Sequence, residues 1–447
     1  MKSTLFFVAG SILLTPPLCL AATSDVSNNN SSDATPAALS QEQQFQQQLD
    51  EMQRDYDRRL SRIEERLLQT QKATRTKKAN TFNPAISLIL NGLYASYENN
   101  PDDYQLPGYA LSDEAGLAPQ GFSLDESEVT LGANVDQLFY GQATFSLSDN
   151  AGETSVETEE AYFETLGLGG GLTLKAGRFY SAIGYLNEKH KHAWDFIDAP
   201  LVYRGLFGDQ LKEDGVRLSW VLPTDTYFMI GGEVGNGVNF PSAGNHSGIG
   251  DWLVFANTGG DIGLSHSWQL GLSHWQSDGV KDRLSQGLST PSFSGDSRID
   301  AIDIVYKWAP EGNAEQQNLK LQAEFFNRDE NGQMTLDETA QSSSYDGSQN
   351  GWYAEAVYQF IPRWKTGVRY DFLESSNSGS DSVVLDAADL LANGYTPQRV
   401  SLMLAWQPSE FSRIRAQFNR DESTADTDNQ FFVQYTMAIG AHGAHAY

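Results

Sequence analysis

The sequence predicts an all-β transmembrane barrel of about 16 antiparallel strands, preceded by an α-helical coiled-coil segment. Three observations predict it. Apolar and polar residues alternate with a period of two over most of the chain, and the connections between these stretches are alternately short and long. The mean hydropathy is only −0.43 although 11% of residues are aromatic. The 447-residue chain carries 58 Asp and Glu against 30 Lys and Arg, a formal charge of −28. That balance excludes nucleic acid as a partner, because phosphate binding needs a basic face. Past residue 22 no run reaches the ~18 apolar residues of a spanning helix.

The N-terminus reads as an export signal over residues 1–22. Lys2 precedes the apolar stretch Leu5 to Leu14, then Pro16, Pro17 and Cys19-Leu20-Ala21, so cleavage is expected after about Ala21 or Ala22. The one cysteine leaves with the signal, so no disulfide or thiolate chemistry is expected in the mature chain. Residues 23–39, rich in Ser, Asn, Asp and Ala, read as a flexible linker. From Ser40, apolar residues fall at Phe45, Leu49, Met52, Tyr56, Leu60, Ile63 and Leu67. These are heptads with one four-residue stutter, predicting a periplasmic coiled coil over 40–78; a single amphipathic helix on the body is the alternative.

From Phe82 to Tyr447 the helical period is replaced by strand alternation. In 139–148 Phe139, Gly141, Ala143, Phe145 and Leu147 alternate with Tyr140, Gln142, Thr144, Ser146 and Ser148. Val400, Leu402, Leu404 and Trp406 alternate with polar neighbours, as do Val216, Leu218 and Trp220. Such segments begin near residues 86, 124, 139, 158, 171, 214, 226, 251, 266, 298, 317, 351, 363, 397, 410 and 429. Short connections include 136–138, 169–170, 223–225, 361–362 and 408–409. Long ones include 98–123, 180–213, 236–250, 277–297, 328–350 and 374–396. An even strand number with short turns at one end and long loops at the other is the signature of an outer-membrane barrel. Lipid offers the backbone no hydrogen bonds, so a sheet crossing it must close on itself. With the export signal, this places the chain in the outer membrane of a Gram-negative bacterium. Outer-membrane lipid is then its surroundings, and a homotrimer its expected assembly.

Positions out of phase with the lipid face are expected to line a pore: Lys175, Arg217, Glu233, Lys320, Glu324, Lys365, Arg369, Arg399, Arg413 and Arg415. Glu126, Glu128, Asp136, Asp303, Glu355 and Asp371 are further candidates. Opposed charges there would orient dipolar solutes; pairing that merely braces the wall is the alternative. The 180–213 connection is unusually apolar for an exposed loop, which predicts a constriction loop folded into the barrel; a cap folded over the rim is the alternative. Its candidate residues are Tyr185, His190, His192, Trp194, Asp195 and Asp198. His190 and His192 share a face in an extended segment and suit zinc, although two histidines do not make a site. No nucleophile elbow, phosphate loop or HExxH motif occurs, so neither catalysis nor an obligatory cofactor is expected.

Three stretches carry a resemblance: Phe82-Asn-Pro-Ala-Ile-Ser87; Gly184 to Phe196 with Pro200-Leu-Val-Tyr203; and Gly440-Ala-His-Gly-Ala-His445. They resemble a proteobacterial family of porin-like outer-membrane proteins often labelled zinc-regulated or TonB-dependent receptors, more distantly similar to phosphate-selective porins. The resemblance implies a barrel over 82–447 and gives the two histidines a zinc association. The chain departs from the receptor pattern, because 23–81 reads as linker and coiled coil and not as a plug domain. The expected function is a porin-like channel for diffusion of small hydrophilic solutes or ions. The alternative is an outer-membrane receptor for zinc or a metal chelate.

Overall fold

The computed structural model describes residues 84–150, 153–243, 248–286 and 290–440. The signal, linker and coiled coil expected over 1–78, and the terminal His442, His445 and Tyr447, lie outside the described residues. Sixteen strands form one sheet. They are β1 (Ala85–Ser96), β2 (Gly121–Asn134), β3 (Phe139–Asn150), β4 (Glu153–Thr165), β5 (Leu172–Tyr180), β6 (Lys212–Val221), β7 (Tyr227–Gly235) and β8 (Asp251–Ile262). The second half comprises β9 (His266–Leu284), β10 (Pro291–Trp308), β11 (Asn318–Leu336), β12 (Gln341–Ile361), β13 (Trp364–Gly379), β14 (Gln398–Ser409), β15 (Ser412–Glu422) and β16 (Asp428–Gly440).

Each strand pairs antiparallel with its sequence neighbours, and β1 closes the barrel against β16 from Ser87↔Gly440 to Ser96↔Phe431. Closure leaves no unpaired edge, the usual liability of a large sheet. Val216, Leu218, Val368, Leu402 and Leu404 are exposed on the outside, while Arg217, Arg369 and Ser401 between them are buried inside.

Three expectations drawn from the sequence are corrected. The stretches 277–297 and 328–350 are not long loops. They are the far ends of β9 and β10 and of β11 and β12, joined by short connections. A tilted strand crosses a bilayer in about 9–11 residues, whereas β9 to β12 contain 19, 18, 19 and 21. The excess stands beyond the barrel wall as two tall hairpins. Val280 and Phe293 on one and Met334, Leu336 and Tyr345 on the other pack around Val384, Leu385 and Leu390 of the β13–β14 connection. Local alternation missed them because their serines, glycines and acids resemble loop composition.

The second correction concerns Asp136, which does not line the lumen. It sits in the β2–β3 turn, where its Oδ1 accepts hydrogen bonds from the N–H groups of Leu138 (2.7 Å) and Phe139 (2.9 Å). The final short turn likewise falls two residues later than expected, because β14 runs through Pro408 and Ser409.

The inner surface is not uniformly polar. From β8 to β13 it carries Leu253, Phe255, Trp275, Ile299, Phe326, Tyr353 and Leu373, all buried in one apolar cluster. Their outward neighbours Val254, Phe325 and Trp352 are apolar as well. At these positions the wall is apolar on both faces, which means that it is covered there from within. We expect Asp136→Ala to destabilise the fold by about 1 kcal/mol, the scale of losing a backbone-capping side chain, measurable as a lower urea midpoint.

Candidate functional site

What covers that inner wall is the 181–211 connection, with 97–120 beside it. Ile183, Leu186, Leu201, Val202, Tyr203, Leu206 and Phe207 are buried against the apolar cluster. The short helix Leu201–Phe207 is buried along its whole length and ends at Gly208 with φ 81°. The 97–120 connection contributes Leu106, Tyr109, Leu111 and Ala115 to the same cluster. The Tyr109 hydroxyl donates to the carbonyls of Asn350 (2.8 Å) and Glu374 (2.9 Å), tying it to β12 and β13.

Little of the inserted segment is helical, so its backbone groups need partners from the wall. Inward side chains supply them. Arg415 Nη1 donates to the carbonyls of Trp194 (2.6 Å), Asp195 (3.1 Å) and Phe196 (3.1 Å). Arg413 donates to the carbonyls of His192 and Trp194. Glu324 accepts from the N–H groups of Tyr185 (3.0 Å) and Leu186 (2.9 Å) and from the hydroxyls of Tyr203 and Tyr353. Gly184 allows that approach: its φ is +68°, and a Cβ there would lie 2.2 Å from a Glu324 oxygen. Glu233 accepts from the Ala182 N–H (2.9 Å) and the Ser181 hydroxyl (2.7 Å), and also pairs with Arg217 at 2.6 Å.

Asp198 is the densest node. Its two oxygens accept from Arg369 (2.8 Å), Arg399 (2.7 Å), Gln417 (2.6 Å) and Asn419 (2.9 Å), drawn from β13, β14 and β15. Burial by itself would raise its pKa. The Arg399 and Arg369 guanidinium groups, then Arg204, outweigh burial and hold the carboxyl well below the usual range. Asp195 pairs with Lys320 at 2.6 Å, and Lys320 also reaches Glu355 at 3.2 Å. The Trp194 indole N–H donates to the Lys189 carbonyl, and the Tyr185 ring lies 5.1 Å from the Lys189 ammonium.

Most of the ten residues expected to line a pore also hold the inserted segment in place. Arg217, Glu233, Lys320, Glu324, Arg369, Arg399, Arg413 and Arg415 meet the inserted segment. Lys175 pairs with Glu164 of the neighbouring strand at 3.7 Å. Lys365 borders a small polar space with Asp195, Arg413 and Arg415.

Wet space remains on the opposite side. A cavity of about 460 Å³ runs beside β1 to β4 and the inserted segment. Among the described residues, Asp102, Asp113, Asp125 and Glu157 line it without an ion-pair partner, while Glu126 and Asp209 share Lys191. Beside Lys191, the rings of His190 and His192 are nearly parallel, 22° apart with centroids 5.6 Å apart. Both turn Nδ1 towards Glu128 of β2, at 3.0 and 2.7 Å. His190 Nε2 lies 3.0 Å from Glu160 of β4.

Sequence reading missed Glu160, Gln417, Asn419 and Asn187. The β15 pair was accessible, because Arg413, Arg415, Gln417, Asn419 and Asp421 are every second residue of one strand. Asn187 had no such signal. It closes the base of the insertion by donating to the carbonyls of Ser181 (2.8 Å) and Leu211 (2.9 Å).

No family model matches the chain. An uncharacterized protein of Aquifex aeolicus (strain VF5) is 31% identical over 414 residues, covering 87% of this chain and 84% of that one. The chain belongs to the family of that protein. Among solved structures, the outer membrane channel DcaP of Acinetobacter baumannii matches at 10% identity and TM-score 0.49, over 80% of this chain and 97% of that chain. The trimer form of OmpT from Vibrio cholerae matches at 9% and 0.49, over 80% and 99%. An anion-selective porin from Comamonas acidovorans matches at 11% and 0.47, again over 80% and 99%. At these values nothing of their selectivity passes to this chain.

Asp198→Ala should loosen the insertion at a cost on the order of 3 kcal/mol, because two buried guanidinium groups are left to share the single carboxylate of Asp371. Protease cleavage within 181–211 of the folded protein is the readout. A carboxyl with a depressed folded pKa stabilises above its unfolded pKa and stops doing so only as pH falls through the folded value. The segment should therefore stay protease-resistant from pH 7 down to about pH 4, near the unfolded carboxyl pKa.

Proposed function

We propose that this member of the Aquifex protein's family is an outer-membrane channel through which small hydrophilic solutes or ions diffuse. The observation that carries the reading is the pairing of an apolar outside with an ionisable, partly water-filled inside in a closed 16-strand wall. An exposed belt of Val, Leu and Phe around a barrel is stable in lipid and costly in water. The inserted segment covers the wall from β8 to β13, so the route for solute runs beside β1 to β4 past Asp125, Glu126 and Glu157. Charged groups keep such a narrow water column polar and exclude apolar molecules. Residues 40–78 would lie in the periplasm as a coiled coil.

We propose a homotrimer, and the outer surface supports self-association. Leu131, Ala133, Ala143, Ala161 and Ala176 border a shallow apolar depression of about 550 Å³ on β2 to β5. Small residues of this kind let two walls approach closely within a bilayer. The second reading, an uptake receptor for zinc or a metal chelate, is favoured by the convergence of His190, His192 and Glu128.

Planar bilayer recording separates the two readings. A channel gives stepwise current with no ligand added, and Asp198→Ala, by freeing the insertion, should change the unit conductance at least twofold. Folded protein that carries no current in either form would overturn the channel. Ala161→Arg should convert trimers to monomers in detergent, read as a threefold fall in mass by light scattering; a monomeric parent protein would rule the trimer out.

A further inference from the structure

The histidines of the insertion and the acids of the wall have more in common than an ion pair. His190 and His192 come from the inserted segment, Glu128 from β2 and Glu160 from β4. One ligand atom from each of Glu128, His190 and His192 lies within 4.8 Å of the other two. Each imidazole offers Nδ1 to a different oxygen of the same carboxylate, at 3.0 and 2.7 Å. The His190 contact lies off the direction of a hydrogen bond, so that buried nitrogen has no hydrogen-bond partner among the described residues. Its other ring nitrogen is held by Glu160 at 3.0 Å.

We propose that Glu128, His190 and His192 form a site for a divalent transition-metal cation of the zinc class, and that the bound ion narrows the passage beside them. Two imidazoles and one carboxylate make a three-ligand set, to which water or solute adds the fourth position. Imidazole nitrogen selects zinc-like ions over magnesium and calcium, which prefer all-oxygen sites. Glu160 takes the role of the carboxylate that orients a ligating histidine through its second nitrogen. Residues flanking the ligands, Glu126 and Lys191, border the acid-rich cavity, where Asp125 and Glu157 would raise the local concentration of cations. Because Glu128 is fixed in the wall while both histidines ride on the insertion, the ion would clamp one to the other. The binding part of this inference stands apart from the channel reading; the narrowing part rests on it.

The test uses the purified full-length mature protein in detergent, with zinc and cobalt salts as probes. Equilibrium dialysis should find one Zn²⁺ per chain, not displaced by a hundredfold excess of Mg²⁺. Co²⁺ should give visible absorption of a nitrogen- and oxygen-ligated ion. His190→Asn with His192→Asn should abolish both signals while the β-sheet circular dichroism stays unchanged. Glu160→Gln should weaken binding by about 10- to 100-fold, the usual effect of losing an orienting partner. Absence of zinc binding in the parent, or equal binding in the double variant, overturns the site. In bilayers, Zn²⁺ should lower the unit current and a chelator restore it. Zinc that binds without altering the current overturns the narrowing alone, whereas a parent that carries no current is a failure of the channel reading and leaves the dialysis result standing.

Discussion

A non-helical segment inside a closed wall must find partners for its buried peptide groups, and most features of this molecule follow from that constraint. Each unpaired buried N–H or C=O costs about as much as a lost hydrogen bond. In the 181–211 insertion the carbonyls of residues 192, 194, 195 and 196 meet Arg413 and Arg415, and the amides of residues 182, 185 and 186 meet Glu233 and Glu324. Charged donors and acceptors suit the task because one guanidinium can reach several carbonyls, as Arg415 does. The insertion leaves Arg369, Arg399 and Arg415 almost fully buried, so their charges in turn need the acceptors it brings. The wall and its insertion are therefore one structure.

That dependence divides the interior into two halves of different character. From β8 to β13 the inner wall carries an apolar patch that Leu201, Val202, Leu206 and Phe207 cover, with buried charges such as Glu324 and Arg369 beside it. Along β1 to β4 the inner wall keeps serines and carboxylates, and space remains beside it. The insertion also brings His190 and His192 against Glu128 and Glu160 of the wall. An insertion centred in the barrel would have left all sides alike.

Much of the architecture was legible in the sequence because strand alternation is a local property. Each of the sixteen expected segments overlaps a strand, and the turn between Asp136 and Leu138 is where it was expected. The tall hairpins were not legible, since Ser342-Ser-Ser and Asp329-Glu-Asn read equally well as loop or as exposed strand. The doubly apolar strands were visible as adjacent pairs, Phe325-Phe326 and Trp352-Tyr353, yet alternation rules treat such pairs as noise. The inward charges could be named one by one, but their partners are up to 221 residues away in the chain, as Asp198 and Asn419 are. Nothing in local spacing predicts such a match.

The sequence by itself determined the number of strands and the facing of most positions within them, because backbone geometry enforces a period of two residue by residue. It also marked 181–211 as too apolar to lie in water. Only the tertiary structure decided what that segment touches: that Asp198 gathers side chains from β13, β14 and β15, and that two histidines share one glutamate. Closing the sheet sets strands distant in the chain across one narrow lumen, and which side chains then meet depends on strand order and register together. Composition carries neither.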